Sequence, residues 1–143
     1  MSIDLQALGR AVKQAQYRHH RALEKHLATV GTTLAQWDAL RAIENSPGDS
    51  AHALAEATFQ SDQAFGTLAN RLLALKLITR EPGQGRRIEH HLTALGKAKL
   101  AAGYKVALGV LERSFRDLGE RDRKQLHGLL MRIGHDDTDD ANE

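Results

Sequence analysis

Residues 50–80 have the sequence SAHALAEATFQSDQAFGTLANRLLALKLITR. Ser50 and Ser61 are of the type that commonly caps helices, and each precedes a segment whose apolar residues recur at helical spacing. Residues 58–60 separate the two segments. The stretch therefore predicts a short helix, a turn and a second helix, which together form a helix-turn-helix. The positions expected to face inward are Leu54, Ala57, Phe65, Leu68, Leu72 and Leu75.

A basic hairpin is predicted directly after the second helix. Residues 77–80 are short and β-prone, residues 81–85 (EPGQG) are turn-forming, and residues 87–92 alternate roughly as an edge strand does. The tip of this hairpin carries Arg86 and Arg87. A helix-turn-helix with a basic hairpin is therefore the central unit of the chain.

Long helices with apolar stripes are predicted on both sides of this unit. Residues 5–26 carry mainly apolar residues at steps of three and four, and Thr33 fits the start of a second helix. Thr93 begins a helix whose stripe covers residues 100–118, and residues 126–133 supply the stripe of a last helix. These helices are too apolar to stand alone in water, so they pack on each other or on a second copy of the chain.

The composition fits one domain with its own core. The chain has 143 residues, of which 41% are hydrophobic and 27% charged. It has no cysteine, which excludes disulfides and thiolate metal sites and fits a reducing compartment. No stretch approaches about 18 apolar residues, and the N-terminus lacks the features of a secretory signal. We therefore expect a single domain over residues 1–143 that works in the cytoplasm without contacting a membrane.

The net charge of +2 hides an uneven distribution. Residues 71–105 contain 8 basic and 2 acidic residues, whereas residues 38–62 contain 5 acidic residues and 1 basic one. Residues 136–143 form an acidic tail, with 5 acids and no base, that is expected to be disordered. A local basic surplus suggests a polyanionic partner, although a solvated charged face explains it equally well on charge alone.

Several short patterns resemble the MarR family of bacterial transcription regulators. They are residues 33–37 (TLAQW), residues 70–72 (NRL), residues 77–80 (LITR), Arg86, and residues 92–96 (LTALG), in this order and spacing. The resemblance implies a mainly α fold with a small β-hairpin wing. It also implies a homodimer that binds a double-stranded DNA operator and responds to a small aromatic effector.

On this interpretation the winged helix-turn-helix lobe covers residues 33–95, and residues 1–30 and 96–134 form the helical dimerisation region. Gly103 and Gly109 then indicate close helix packing at the dimer seam, or a functional kink.

Three positions depart from the family pattern. Gln84 stands where the family usually has an aspartate two residues before the wing arginine, and Lys76 stands where it commonly has a glycine. Gly66 lies inside the second helix of the helix-turn-helix, which it weakens by roughly 1 kcal/mol relative to alanine.

The exposed face of that second helix is the candidate DNA reader. Glutamine and asparagine pair with adenine in a major groove, and arginine pairs with guanine. The arginines of the hairpin tip can enter a minor groove or clamp phosphates. A plain polar helix face is the alternative, and Arg71 can instead be structural. The candidate DNA contacts are Ser61, Asp62, Gln63, Gly66, Thr67, Asn70, Arg71, Arg86 and Arg87.

No metal site or other cofactor is expected from the eight histidines. His90 and His91 would point to opposite faces of a strand, and His19 and His26 are two helical turns apart. The resemblance implies an effector crevice instead, between the dimerisation region and the DNA-binding lobe. Its candidate residues, by location, are Tyr17, His19, Trp37 and Arg41, although Trp37 can simply belong to the core.

The chain shows no signature of an enzyme, because it has no glycine-rich phosphate loop, no Gly-x-Ser-x-Gly motif and no cysteine nucleophile. The sequence therefore predicts a sequence-specific, ligand-responsive repressor. Two alternatives stay open: a dimeric protein–protein interaction module of the same fold that has lost DNA binding, and a ligand-binding protein without DNA.

Overall fold

The computed structural model describes residues 2–134, so the acidic tail of residues 136–143 lies outside the described residues. The helices are α1 (Leu5–Leu27), α2 (Leu34–Asn45), α3 (Ala51–Ala57), α4 (Asp62–Ala74), α5 (Ala94–Ser114) and α6 (Glu120–Leu130). The strands are β1 (Ile78–Pro82) and β2 (Ile88–Leu92), and a short 3-10 turn, Ala28–Val30, follows α1. The predicted mainly α fold with a two-stranded hairpin is confirmed.

The described residues form two compact units, which divide between residues 110 and 111. In the first unit β1 and β2 pair antiparallel, with Ile78 opposite Leu92 and Pro82 opposite Ile88. In the second unit the Arg123 guanidinium donates to the Phe115 carbonyl at 3.0 Å and braces the connection before α6. No helix among residues 2–134 has both the length and the apolar character needed to cross a membrane.

The helix starts are set by local capping, as the sequence predicts. The hydroxyls of Thr33, Ser50, Ser61 and Thr93 each accept the backbone N–H three residues later, at 3.0–3.2 Å. Thr93 also donates to the Lys76 carbonyl at 2.7 Å, so the end of α4 is tied to the start of α5.

The helix ends of α3 and α4 carry a strained residue each. Phe59 and Lys76 have φ values of 58° and 60°, the left-handed region that normally holds glycine at this position. In both places the backbone N–H of the following residue donates a hydrogen bond to the carbonyl five residues before it, at 2.9 and 3.0 Å. A residue with a side chain costs roughly 1–2 kcal/mol in this backbone conformation. Both helix ends therefore form against the local backbone preference.

The core of the first unit is built from α1 to α4, the hairpin and one face of α5. Its largest fully buried side chains are Leu27, Leu40, Ile43, Leu54, Phe65 and Leu72. In α3 the inward residues are Leu54 and Ala55, whereas Ala57 is exposed, contrary to the sequence prediction. The cause is that Thr58, one turn after Leu54, is buried instead and donates back to the Leu54 carbonyl.

The face of α5 that packs inward differs from the one expected from its large apolar residues. Small residues dominate the buried face, whereas Tyr104 and Leu108 are 45% and 58% exposed. Gly103 lies under Trp37, where a β-carbon would stand 2.2 Å from Cδ1 of the indole ring. Gly103 therefore makes room for the core of its own chain, a role that the dimer-seam interpretation missed.

His90 connects the hairpin to α4. Its side chain is buried, its ring meets the Phe65 ring edge-on at 6.2 Å, and Arg80 Nε donates to its Nε2 at 3.4 Å. Burial lowers the pKa of His90 below the ordinary value of 6.5, and the positive charge of Arg80 acts in the same direction. The histidine is therefore buried in its neutral form.

Acid should destabilise the fold through this residue. The unfolded chain protonates His90 more readily than the folded chain does, so stability falls as the pH drops below about 6.5 and continues to fall until the lowered pKa is passed. In His90→Gln, urea unfolding should show a smaller loss of stability between pH 7 and pH 5 than in the wild type. His20→Gln, on the exposed surface of α1, is the control. An unchanged acid sensitivity in His90→Gln would contradict this account.

Candidate nucleic-acid interface

Helix α4 has one buried and one exposed face, and most candidate DNA contacts lie on the exposed one. Phe65, Ala69 and Leu72 are completely buried. The exposed positions are Asp62, Gln63, Thr67, Asn70 and Arg71, with the capping residue Ser61 directly before them. Gly66 is half-buried, and a β-carbon added there would meet nothing within 4 Å, so the surface has a shallow gap at its position.

The side chains most suited to reading base edges are not engaged in the structure. Among residues 2–134, the side chains of Gln63, Asn70 and Arg71 have no hydrogen-bond or ion-pair partner. The structural role considered for Arg71 thus has no support within that part of the chain. Thr67 differs, because its hydroxyl donates to the Gln63 carbonyl at 3.2 Å.

A histidine that the sequence analysis did not single out sits beside the first residue of α4. His52 Nδ1 lies 2.9 Å from the Asp62 carboxylate, and His52 Nε2 lies 3.1 Å from the Glu56 carboxylate. The hydrogen bond and negative charge of Asp62 raise the pKa of His52 above 6.5, and Glu56 adds to the effect. The spacing of four between His52 and Glu56 on α3 signals their pairing, but the contact with Asp62 requires the fold.

The hairpin places its two arginines differently. Arg86 is exposed, and no carboxylate within the described part of the chain pairs with it. Arg87 Nη2 lies 3.3 Å from the Asp49 carboxylate, in the connection between α2 and α3. Both arginines line an open depression of about 320 Å³ on the hairpin, together with Arg80, Glu81, Pro82, Gly85 and Ile88.

Of the four effector candidates, Tyr17 and Arg41 each contact a neighbouring residue of their own helix. The Arg21 guanidinium lies 5.6 Å from the centre of the Tyr17 ring on the exposed surface of α1, and Arg41 pairs with Asp38 at 2.8 Å. His19 is half-buried on α1. Tyr17 lines an open groove of about 540 Å³ with Ala7, Arg10, Ala11, Lys13 and Gln14.

Trp37, the remaining effector candidate, belongs to the core. Its Nε1 donates to the Leu100 carbonyl at 3.3 Å, and its ring meets Tyr104 edge-on at 5.2 Å. No group of three or more potential metal-binding side chains occurs over residues 2–134.

Residues 30–88 match the sequence model of the MarR family. The chain has the winged helix fold of MarR structures, and the match to the MarR family model covers about two fifths of its length. Members of this family are transcription regulators and not enzymes. The matched range contains α2, α3, α4 and most of the hairpin, and therefore all nine candidate DNA contacts.

Solved structures have the same fold over most of their length. A probable transcriptional regulator from Pseudomonas aeruginosa has a TM-score of 0.79 at 26% identity, covering 88% of this chain and 96% of that one. A mutant of MarR from E. coli, complexed with operator DNA, has a TM-score of 0.82 at 19% identity, with coverages of 89% and 93%.

A MarR family protein from Mycobacterium tuberculosis, in complex with salicylic acid, has a TM-score of 0.72 at 24% identity, with coverages of 89% and 96%. Among curated protein sequences there is no significant match.

The contact of His52 on α3 with Asp62 on α4 predicts a raised pKa for His52. In an NMR pH titration the imidazole signals of His52 should have a higher midpoint in the wild type than in Asp62→Asn. Because the pKa is raised in the folded state, any stability from this contact is present below about pH 6.5 and is lost as the pH rises through the folded pKa. Glu44→Gln removes an exposed acid of α2 as the control. Equal midpoints in all three proteins would show that the pair does not persist in solution.

Proposed function

We propose that this MarR family transcription regulator is a homodimeric repressor that binds double-stranded operator DNA with sequence specificity and is released by a small aromatic ligand. The observation that supports the DNA contact is the exposed face of α4, where the side chains of Gln63, Asn70 and Arg71 have no partner among the described residues. Gln63 and Asn70 would meet base edges in a major groove, and Arg71 would meet a guanine or a phosphate. The other contacts of the helix would come from Ser61, Asp62, Gly66 and Thr67.

The charge distribution supports a DNA partner for this surface. Residues 71–105, which contain the end of α4, the hairpin and the first half of α5, carry a net charge of +6. Exposed Arg86 projects positive charge that would compensate phosphates and make binding depend on salt. The acid at the start of α4, Asp62, is paired with His52, which limits its repulsion of a phosphate backbone.

Two substitutions test whether α4 reads bases. Gln63→Ala and Asn70→Ala should each cost about 1–3 kcal/mol of affinity on the DNA upstream of the protein's own gene and little on random DNA. Fluorescence anisotropy titrations on both DNAs measure the difference, with Gln6→Ala, an exposed glutamine of α1, as the control.

Equal losses on both DNAs would mean that Gln63 and Asn70 contact the phosphate backbone and do not read bases. If the wild type binds neither DNA, the DNA-binding proposal is wrong and the protein–protein module is favoured.

A second copy of the chain would cover the apolar surface that remains exposed in each unit. In the first unit Leu5 of α1 is 78% exposed, and Leu108 of α5 is 58% exposed. In the second unit Leu129, Leu130, Met131 and Ile133 are each about half exposed. Exposed apolar side chains at helical spacing favour an obligate dimer, as the long terminal helices of the sequence predict.

Sedimentation at micromolar concentration should therefore give about 32 kDa, twice the chain mass of 15.8 kDa. Leu108→Glu should abolish the dimer, because a charge would be buried without a partner at the interface. In a monomer the same exposed substitution would change stability by less than about 0.5 kcal/mol. Lys105→Glu, an exposed polar site on α5, is the control. A folded wild-type monomer would contradict the proposal.

The aromatic effector is proposed to bind near Tyr17, His19, Trp37 and Arg41. The salicylic acid complex of the Mycobacterium tuberculosis protein motivates the ligand class. Arg41 offers a guanidinium for a carboxylate, once its pairing with Asp38 is exchanged for the ligand. Trp37 lies beside Tyr104, so a ring entering there would change the packing of the indole.

Salicylate should quench the fluorescence of Trp37, the only tryptophan of the chain, and weaken DNA binding, because the coupling between two ligands is reciprocal. Arg41→Gln should reduce the salicylate effect on both signals. Acetate at the same concentration is the control for a carboxylate without a ring. If salicylate leaves fluorescence and DNA affinity unchanged, the proposed effector class is wrong.

A further inference from the structure

The connection between α2 and α3 lies against the second strand of the hairpin. The backbone N–H of Gly48 donates to the His90 carbonyl at 3.4 Å. Gly48 is buried and has a φ of 85°, so this close approach uses a conformation that glycine adopts without strain. A β-carbon at Gly48 would lie 3.5 Å from the Glu89 carboxylate. The connection therefore has a fixed position beside β2.

Arg87 links this connection to the hairpin turn. Its side chain pairs with Asp49, and its backbone closes the turn. The Gly83 N–H donates to the Arg87 carbonyl at 2.8 Å, and the Arg87 N–H donates to the Gln84 carbonyl at 3.3 Å. The side chains of Asp49 and Arg87 are 39% and 49% exposed, so solvent screens the pair only in part.

The geometry points to a division of roles between the two wing arginines: Arg87 is a positioning residue that Asp49 holds, and Arg86 is the arginine that reaches DNA. This inference rests on the proposed function. Among the described residues, Arg86 has no ion-pair partner, and Gly85 on its N-terminal side has a φ of 67°. A turn that contains two glycines loses backbone freedom when its tip binds, and a tie to the neighbouring connection reduces that loss.

The change in DNA affinity expected on removing the Asp49 carboxylate is opposite to the change that an acid on such a surface normally gives. Removing an acid from a DNA-binding surface normally strengthens binding, because it removes repulsion of the phosphates. Removing the carboxylate of Asp49 should weaken binding instead, because it releases the wing. The effect expected of a partly exposed ion pair is roughly a two- to fivefold rise in Kd.

Asp49→Asn and Glu81→Gln form the matched comparison. Glu81 is an exposed acid of β1 in the same hairpin, and no base within residues 2–134 pairs with it. Anisotropy titrations should show weaker DNA binding for Asp49→Asn and unchanged or tighter binding for Glu81→Gln. Tighter binding by Asp49→Asn would overturn the inference.

The salt dependence separates the two arginines. Arg86→Gln should lower the slope of log K against log salt by roughly one unit for each lost phosphate contact. Arg87→Gln should weaken binding with an unchanged slope, and Asp49→Asn should add no further loss to it, because both remove the same contact. If Arg87→Gln lowers the slope as much as Arg86→Gln does, Arg87 reaches phosphates itself and the assignment is wrong.

A measurement without DNA tests the Asp49–Arg87 ion pair separately from the proposed function. Hydrogen exchange of the Gly83 and Arg87 amides should be faster in Asp49→Asn than in the wild type and in Glu81→Gln. Unchanged exchange would overturn the inference even if DNA binding is established. If the wild type binds no DNA, the proposed function fails, and with it the assignment of Arg86, while the exchange rates still decide whether Asp49 holds the wing.

Discussion

The complete burial of Phe65 is the constraint on which the DNA-facing surface depends. Its ring packs against His90, so one side chain of α4 joins the helix to the second strand of the hairpin. Because the face with Phe65 and Leu72 points inward, Gln63 and Asn70 must point outward. Rotation of α4 would expose Phe65 and would also separate the helix from the wing. The two proposed DNA-binding elements are therefore positioned by one buried contact.

Four of the five acidic residues in residues 38–62 lie against a basic side chain in the structure. Asp38 pairs with Arg41, Asp49 with Arg87, and both Glu56 and Asp62 with His52. In the sequence, residues 38–62 carry a net charge of −4, which argues against a DNA partner. Two of these contacts join different elements of the fold, Asp49 with Arg87 and Asp62 with His52, and the second lies at the start of α4.

Features set by neighbouring residues could be predicted from the sequence, and those set by distant contacts could not. The caps at Ser61 and Thr93 depend on the next three residues, and the predicted helix starts are confirmed. The pairing of Asp49 with Arg87 joins residues 38 positions apart, and nothing local indicates it. Gly103 is predicted from the sequence to lie at a dimer seam or a kink, whereas in the structure it makes room for Trp37 of α2. The resemblance to a known family supplied the function, which periodicity alone would not.

The most direct test is to map the DNA-bound surface residue by residue. In an NMR titration of the isotope-labelled protein with DNA from upstream of its gene, the largest shift changes should fall on the backbone amides of residues 61–71 and 83–87. The amides of Leu40 and Ile43, buried in the core, should change little. Changes confined to α1 or α6, with residues 61–71 unaffected, would contradict the claim that the exposed face of α4 is the DNA-binding surface.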